Sequence, residues 1–163
     1  MNLTTLMDTP RLYTALAEWG ACLVYIFLLR RKMSGLKLSF FLGGSLIVFV
    51  AYHEFAGTLP IYFWIPCMIG AAFLMCALLH LLCDTTWLDA WFCCAKALVL
   101  AEFAASLHWQ LYVWWTLTYG KLSPAFAVVT MTVLYTGIYV GYYFLERGHF
   151  PTDERLQING KEL

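Results

Sequence analysis

Three ionisable side chains, Asp89, Lys96 and Glu102, interrupt a run too apolar for water: WLDAWFCCAKALVLAEFAASLHWQLYVWW at residues 87–115. A charge in hydrocarbon costs from about 2.5 kcal/mol to well over 10, so a lysine and a glutamate there must face protein, water or each other. On a helix Asp89 and Lys96 share a face at about 10 Å, whereas Glu102 is rotated about 240° from Lys96. Lys96 therefore needs an acid from another segment, and Glu18 is the best candidate. The alternative is that its stem bends past Cys93 toward Asp89 and closes a structural pair. Asp89 itself fits a capping box with Thr86 better than it fits a catalytic acid. A second group, His53, Glu54, Glu102 and His108, with Glu18 deeper, collects toward one surface once the apolar segments fold back and forth. Carboxylates and imidazoles gathered there could bind a cation, take up protons or hold the amine of a peptide. Interfacial residues that simply reach headgroups and water give the same pattern.

The elements that must position these groups follow from composition. The chain has 163 residues, 62% hydrophobic and only 12% charged, with a mean hydropathy of +0.71, which is the balance of an integral membrane protein. Ten basic and ten acidic residues cancel, and no basic arm or nucleic-acid motif occurs, so nucleic acid is excluded as a partner. The six cysteines (Cys22, Cys67, Cys76, Cys83, Cys93, Cys94) lie in or beside apolar runs without a CxxC spacing and read as small buried hydrophobes. His53 and His108 form a same-side pair while His80 falls at the other side, so neither a metal nor a cofactor is expected. No phosphate loop, GxSxG elbow or HExxH motif is present.

In chain order the pattern predicts an all-α polytopic bundle of about five transmembrane helices, at residues 12–29, 36–55, 59–83, 87–108 and 124–145. Thr9-Pro10 supplies a cap and a first-turn proline to the first. Gly43-Gly44 marks close approach or bending in the second, and Pro66 a kink in the third. The fourth is expected to leave the hydrocarbon near His108, with Trp109, Tyr112, Trp114, Trp115 and Tyr119 as an interfacial belt. Residues 1–146 form the membrane domain, and 147–163, with His149, a polar tail or connector. The basic residues of the first linker and of the tail put those segments on the cytoplasmic face and the amino terminus outside. Gly137 and Gly141, and Ala97, Ala101 and Ala105, are spaced for helix packing, either within the chain or across a homodimer seam.

The segments LVLAEFAASLHWQLY (98–112), PRLYTALAEWGACLVYIFLL (10–29), IPCM (65–68) and LERGHFPTDERL (145–156) resemble the amino-terminal membrane region of GHKL-type sensor histidine kinases from anaerobic Firmicutes. The resemblance covers nearly the whole chain and rests on segments, not on a catalytic motif. It implies a multi-pass sensor in the bacterial cytoplasmic membrane, coupled to a dimerisation helix and an ATP-binding domain. The asparagine and glycine boxes of such a domain are not in this sequence, and His149 lacks the helix pattern of a phosphoacceptor. The chain itself is thus expected to be non-enzymatic, an input module for an extracellular peptide or small molecule, reaching a response regulator only through a kinase domain. A substrate-binding membrane subunit or transporter component, and a structural protein acting by helix association, are the alternatives.

Overall fold

Hydrocarbon offers backbone amides no water, so a chain this apolar must satisfy them within each segment. The computed structural model, which describes residues 10–120 and 123–148, does so with helices: α1 (Arg11–Leu28), α2 (Leu36–Gly57), a 3-10 turn (Ile61–Phe63) running into α3 (Trp64–Leu82), α4 (Trp87–Tyr119) and α5 (Pro124–Glu146). Each of the five is long and apolar enough to cross a membrane.

The helix boundaries have local causes. Pro10 occupies the N-cap position of α1 without a side-chain cap bond, and Thr9 lies outside the described residues. Pro66 falls in the first turn of α3, where its missing N–H is not needed, so it marks the start of that helix and not its middle. Its ring would clash with the Tyr62 carbonyl of a continuous α-helix, which accounts for the 3-10 turn just before it. α4 opens with the capping box: the Asp89 amide donates to Thr86 Oγ1 (3.2 Å), while the Thr86 amide (3.3 Å) and hydroxyl (2.7 Å) donate to Asp89 Oδ2. With no glycine or proline between Trp87 and Tyr119, α4 then runs 33 residues, far beyond the exit expected near His108. It stops at Gly120, whose φ of 94° suits glycine. Ser123 caps α5 by accepting from the Phe126 amide at 3.3 Å, with proline following in the first turn.

α1 is the hub, packing against α2, α3, α4 and α5, most extensively against α4. The reason is side-chain size. Ala15, Ala17, Gly20, Ala21 and Cys22 on α1, and Ala90, Cys93, Cys94, Ala97, Ala101, Ala104 and Ala105 on α4, are all buried, so the two backbones can approach closely. The Ala97, Ala101 and Ala105 seam therefore packs within the chain. Gly137 and Gly141 face outward with open space where a side chain would sit, and the same holds for Gly43 and Gly44, so no close approach occurs at either pair.

At the lower end, where α1, α3 and α5 finish, the two linkers are sewn together. Arg31 and Cys83 form an antiparallel bridge, flanked by Lys32 N–H to Leu82 O and Asp84 N–H to Arg30 O, both 2.8 Å. Lys32 Nζ adds a 2.6 Å bond to the His80 carbonyl in the last turn of α3, the end of the helix dipole that favours a cation. At the upper end Tyr13, near the start of α1, packs edge-on against His108 (5.3 Å between centroids). α4 continues for roughly three more turns, so the α4–α5 hairpin projects past α1.

Candidate functional site

Two polar constellations sit inside this apolar frame, one toward each end. The upper one is a pair of buried titratable groups. Glu18 on α1 is 0% exposed and its Oε2 lies 2.9 Å from His53 Nε2 on α2, itself 5% exposed. An ionised carboxylate only accepts, so with Glu18 ionised Nε2 must be the protonated ring nitrogen. The second carboxylate oxygen, Oε1, is buried without a hydrogen-bond partner. Trp19 Nε1, next to Glu18, donates to Ser45 Oγ at 3.0 Å and fixes α1 against α2 on a second line.

In front of this pair lies a cavity of about 440 Å³, between the end of α2 and the start of α3. His53 lines it together with Arg11, Tyr52, Tyr62, Trp64 and Cys67. Arg11 is exposed, so the cavity has a cation toward solvent and an imidazole backed by a buried carboxylate. Tyr52 donates to the Cys67 carbonyl at 2.8 Å and its hydroxyl presses on Gly70, where any Cβ would collide with it. That bond pins α2 to α3 and shapes the wall. No hydrogen bond joins the Cys67 thiol to His53, so no nucleophile–base pair is formed. The arrangement can bind a ligand and hold a shared proton, which is recognition chemistry.

The lower constellation answers the question of Lys96. Its Nζ lies 3.0 Å from Glu146 Oε1, at the end of α5, and 5.2 Å from the centroid of the Phe92 ring. Neither Glu18 nor Asp89 takes the role expected of them: Glu18 is engaged by His53, and Asp89 by its capping box. The same Glu146 oxygen accepts from Tyr142 (2.8 Å), and the Tyr142 and Tyr25 hydroxyls meet at 2.9 Å. α1, α4 and α5 are thus joined by four side chains.

The other expected residues are dispersed. Glu102 and Glu54 are exposed on the bundle surface, although Glu102 is close enough to Glu18 and His53 to feel their charges. His108 is 2% exposed, surrounded by the rings of Tyr13, Tyr112 and Tyr135, with both ring nitrogens lacking a hydrogen bond. His80 stacks on Trp87 at 4.1 Å. Among the described residues no group of three His, Cys, Asp or Glu could hold a metal ion. His149 lies outside the described residues.

What inspection of charges missed is a row of tyrosines on α5. Tyr135 donates to the Tyr13 carbonyl (3.2 Å), Tyr139 to the Ala17 carbonyl (2.8 Å), and Tyr142 meets Tyr25. Their spacing of four and then three residues is one helix face, and it was readable as such. No family model, no curated protein and no solved structure matches this chain.

Proposed function

We propose that the chain is a ligand-sensing input module in a bacterial cytoplasmic membrane, of the kind that controls a two-component histidine kinase. In this reading the upper end faces outside, the lower end faces the cytoplasm, and a peptide or small molecule occupies the cavity lined by Arg11 and His53. The observation that carries the reading is the buried Glu18–His53 pair: it touches the cavity through His53 and stands, through Glu18, on α1, which packs against the other four α-helices. A ligand that engages His53 competes for the pair, and the difference in its affinity for the two packings of α1 sets how far the equilibrium moves. The signal reaches the cytoplasmic end through α5, whose tyrosines hold the α1 carbonyls and whose last residue, Glu146, holds Lys96.

A solute-carrying subunit is less well supported, because the space beside Lys96 is a groove walled by Val99, Leu100, Phe103 and Leu145, apolar, not polar, with the ammonium already paired to Glu146. The test is a fusion of the full chain to a histidine-kinase dimerisation and ATP-binding segment, reconstituted in nanodiscs, with autophosphorylation measured for the parent, His53→Leu and Glu18→Gln. Sensing through the pair requires the basal rate to change several-fold in the same direction in both variants. Rates equal to the parent in both would remove the pair from signalling.

A further inference from the structure

A second cavity, with no lining residue in common with the one at His53, is harder to explain as packing. It lies in the projecting α4–α5 hairpin, about 330 Å³ in volume, walled by Leu111, Tyr112, Trp114, Trp115 and Phe126 with His108 at its base. His108 is 2% exposed and makes no hydrogen bond at either ring nitrogen. Leaving a buried polar group unsatisfied costs about 1–3 kcal/mol, which a leucine or phenylalanine at this position would avoid. The Ala127 carbonyl lies near enough to act on the ring, but a carbonyl can serve only one of its nitrogens, and no described side chain bonds to the other.

We infer that this cleft binds an uncharged, lipid-soluble ring compound of the quinone or quinol class, its oxygen bonded to His108 and its ring laid against Trp114, Trp115 and Phe126. Four features select that chemistry. Among the described residues no charged side chain lines the cleft, so an ionic ligand would be desolvated without compensation. A neutral imidazole offers one N–H and one lone pair, which serves a carbonyl and a hydroxyl equally. The aromatic walls present flat faces, with Trp115 and Phe126 centroids 5.2 Å apart, and aromatic rings stack on such surfaces. Leu111, Trp114 and Val133 at the rim are exposed, so the cleft opens on an apolar flank of the hairpin. Binding is the whole claim; no electron transfer is assigned.

The experiment is isothermal titration calorimetry of the full chain in nanodiscs, against empty nanodiscs, with duroquinone as the probe. Its ring is fully substituted and does not add to thiols. Durene, the same ring without oxygens, is the control. Saturable one-to-one binding of duroquinone is expected, weakened about tenfold by His108→Leu and within about threefold of the parent for His108→Gln, which restores a donor and an acceptor. Durene should bind more weakly and be indifferent to His108→Leu. Thermal melting checks the fold, with His108→Leu expected to melt at or above the parent because it removes the unsatisfied nitrogens; the double variant Trp114→Ala/Trp115→Ala, which leaves His108 in place, should lose duroquinone independently. No saturable heat above empty discs, equal duroquinone affinity with and without His108, or binding that survives loss of both tryptophans would each overturn the inference.

Discussion

Removing one member of the Glu18–His53 pair should cost more than removing both, and the difference can be worked from the structure. Glu18 is 0% exposed and keeps only the 2.9 Å bond from His53 on Oε2, its Oε1 having none. His53→Leu therefore leaves a buried carboxyl with no partner, which costs about 1–3 kcal/mol. Glu18→Met/His53→Leu replaces both with apolar groups of similar volume, and such swaps are often close to neutral. The coupling between the two positions has a lower bound set by interhelical hydrogen bonds in membranes, about 0.6–1.7 kcal/mol, and an upper bound set by charge-assisted bonds, about 1.5–3 kcal/mol. Because the carboxylate has a single bond and no solvent, the upper half of that span applies, about 2 kcal/mol. The assay is a double-mutant cycle on the unfolding free energy of the purified chain in mixed micelles, with Glu18→Met, His53→Leu and the double variant. Additivity within about 0.5 kcal/mol would refute the reasoning, since independent sites add that closely. It would mean that the two side chains are not joined in the folded protein.

Gly20→Ala should destabilise the protein by about 1–3 kcal/mol, because a Cβ there meets the Tyr139 ring at 2.5 Å and that ring is held by its bond to Ala17. Gly141→Ala, with nothing within 4 Å, should leave the melting temperature of the monomer unchanged, and equal losses for the two variants would contradict the packing described. Lys96→Met should cost less than about 1 kcal/mol: the Lys96 side chain is 35% exposed, and Glu146 retains the Tyr142 hydroxyl. A loss of several kcal/mol in the same unfolding assay would show the pair to be far better shielded than that exposure implies.

The length of the apolar runs and the turn residues made five helices legible, and the Thr86–Asp89 box marked the start of α4 correctly, because caps and hydrophobic length are local properties. The partner of Lys96 is not a local property. Sequence reasoning placed Glu146 at the edge of a tail and looked to Glu18, the deepest acid available. The decisive geometry is that α4 and α5 form an antiparallel hairpin, in which residues about equally far from the turn come level. Lys96 stands roughly two dozen residues before Gly120 and Glu146 about as many after Ser123, and His108 and Tyr135, each about half that distance from the turn, also meet, at 5.9 Å. That symmetry was available from the turn that the sequence places at residues 120–123; ending the fourth span at His108 obscured it, because the helix was not followed through to that turn. Glu18 and His53 illustrate the converse. Their common side followed from topology, but which of five ionisable groups would pair depended on the rotation of each helix, and small residues on α1 and α4 decide that rotation by what they allow to approach.

The two polar clusters matter to each other because α1 carries a member of both. Glu18 lies beside Ala17, whose carbonyl takes the Tyr139 hydroxyl, and seven residues further along the same helix Tyr25 meets Tyr142. Any shift of α1 that lengthens the bond to His53 therefore acts on α5 within one turn, and again at the Glu146–Lys96 pair. Gly20, under the Tyr139 ring, leaves no slack between these points, so α1 and α5 must move as one body or separate along their whole contact. A contact that yields only as a whole is what the proposed sensing role requires and what a passive anchor does not.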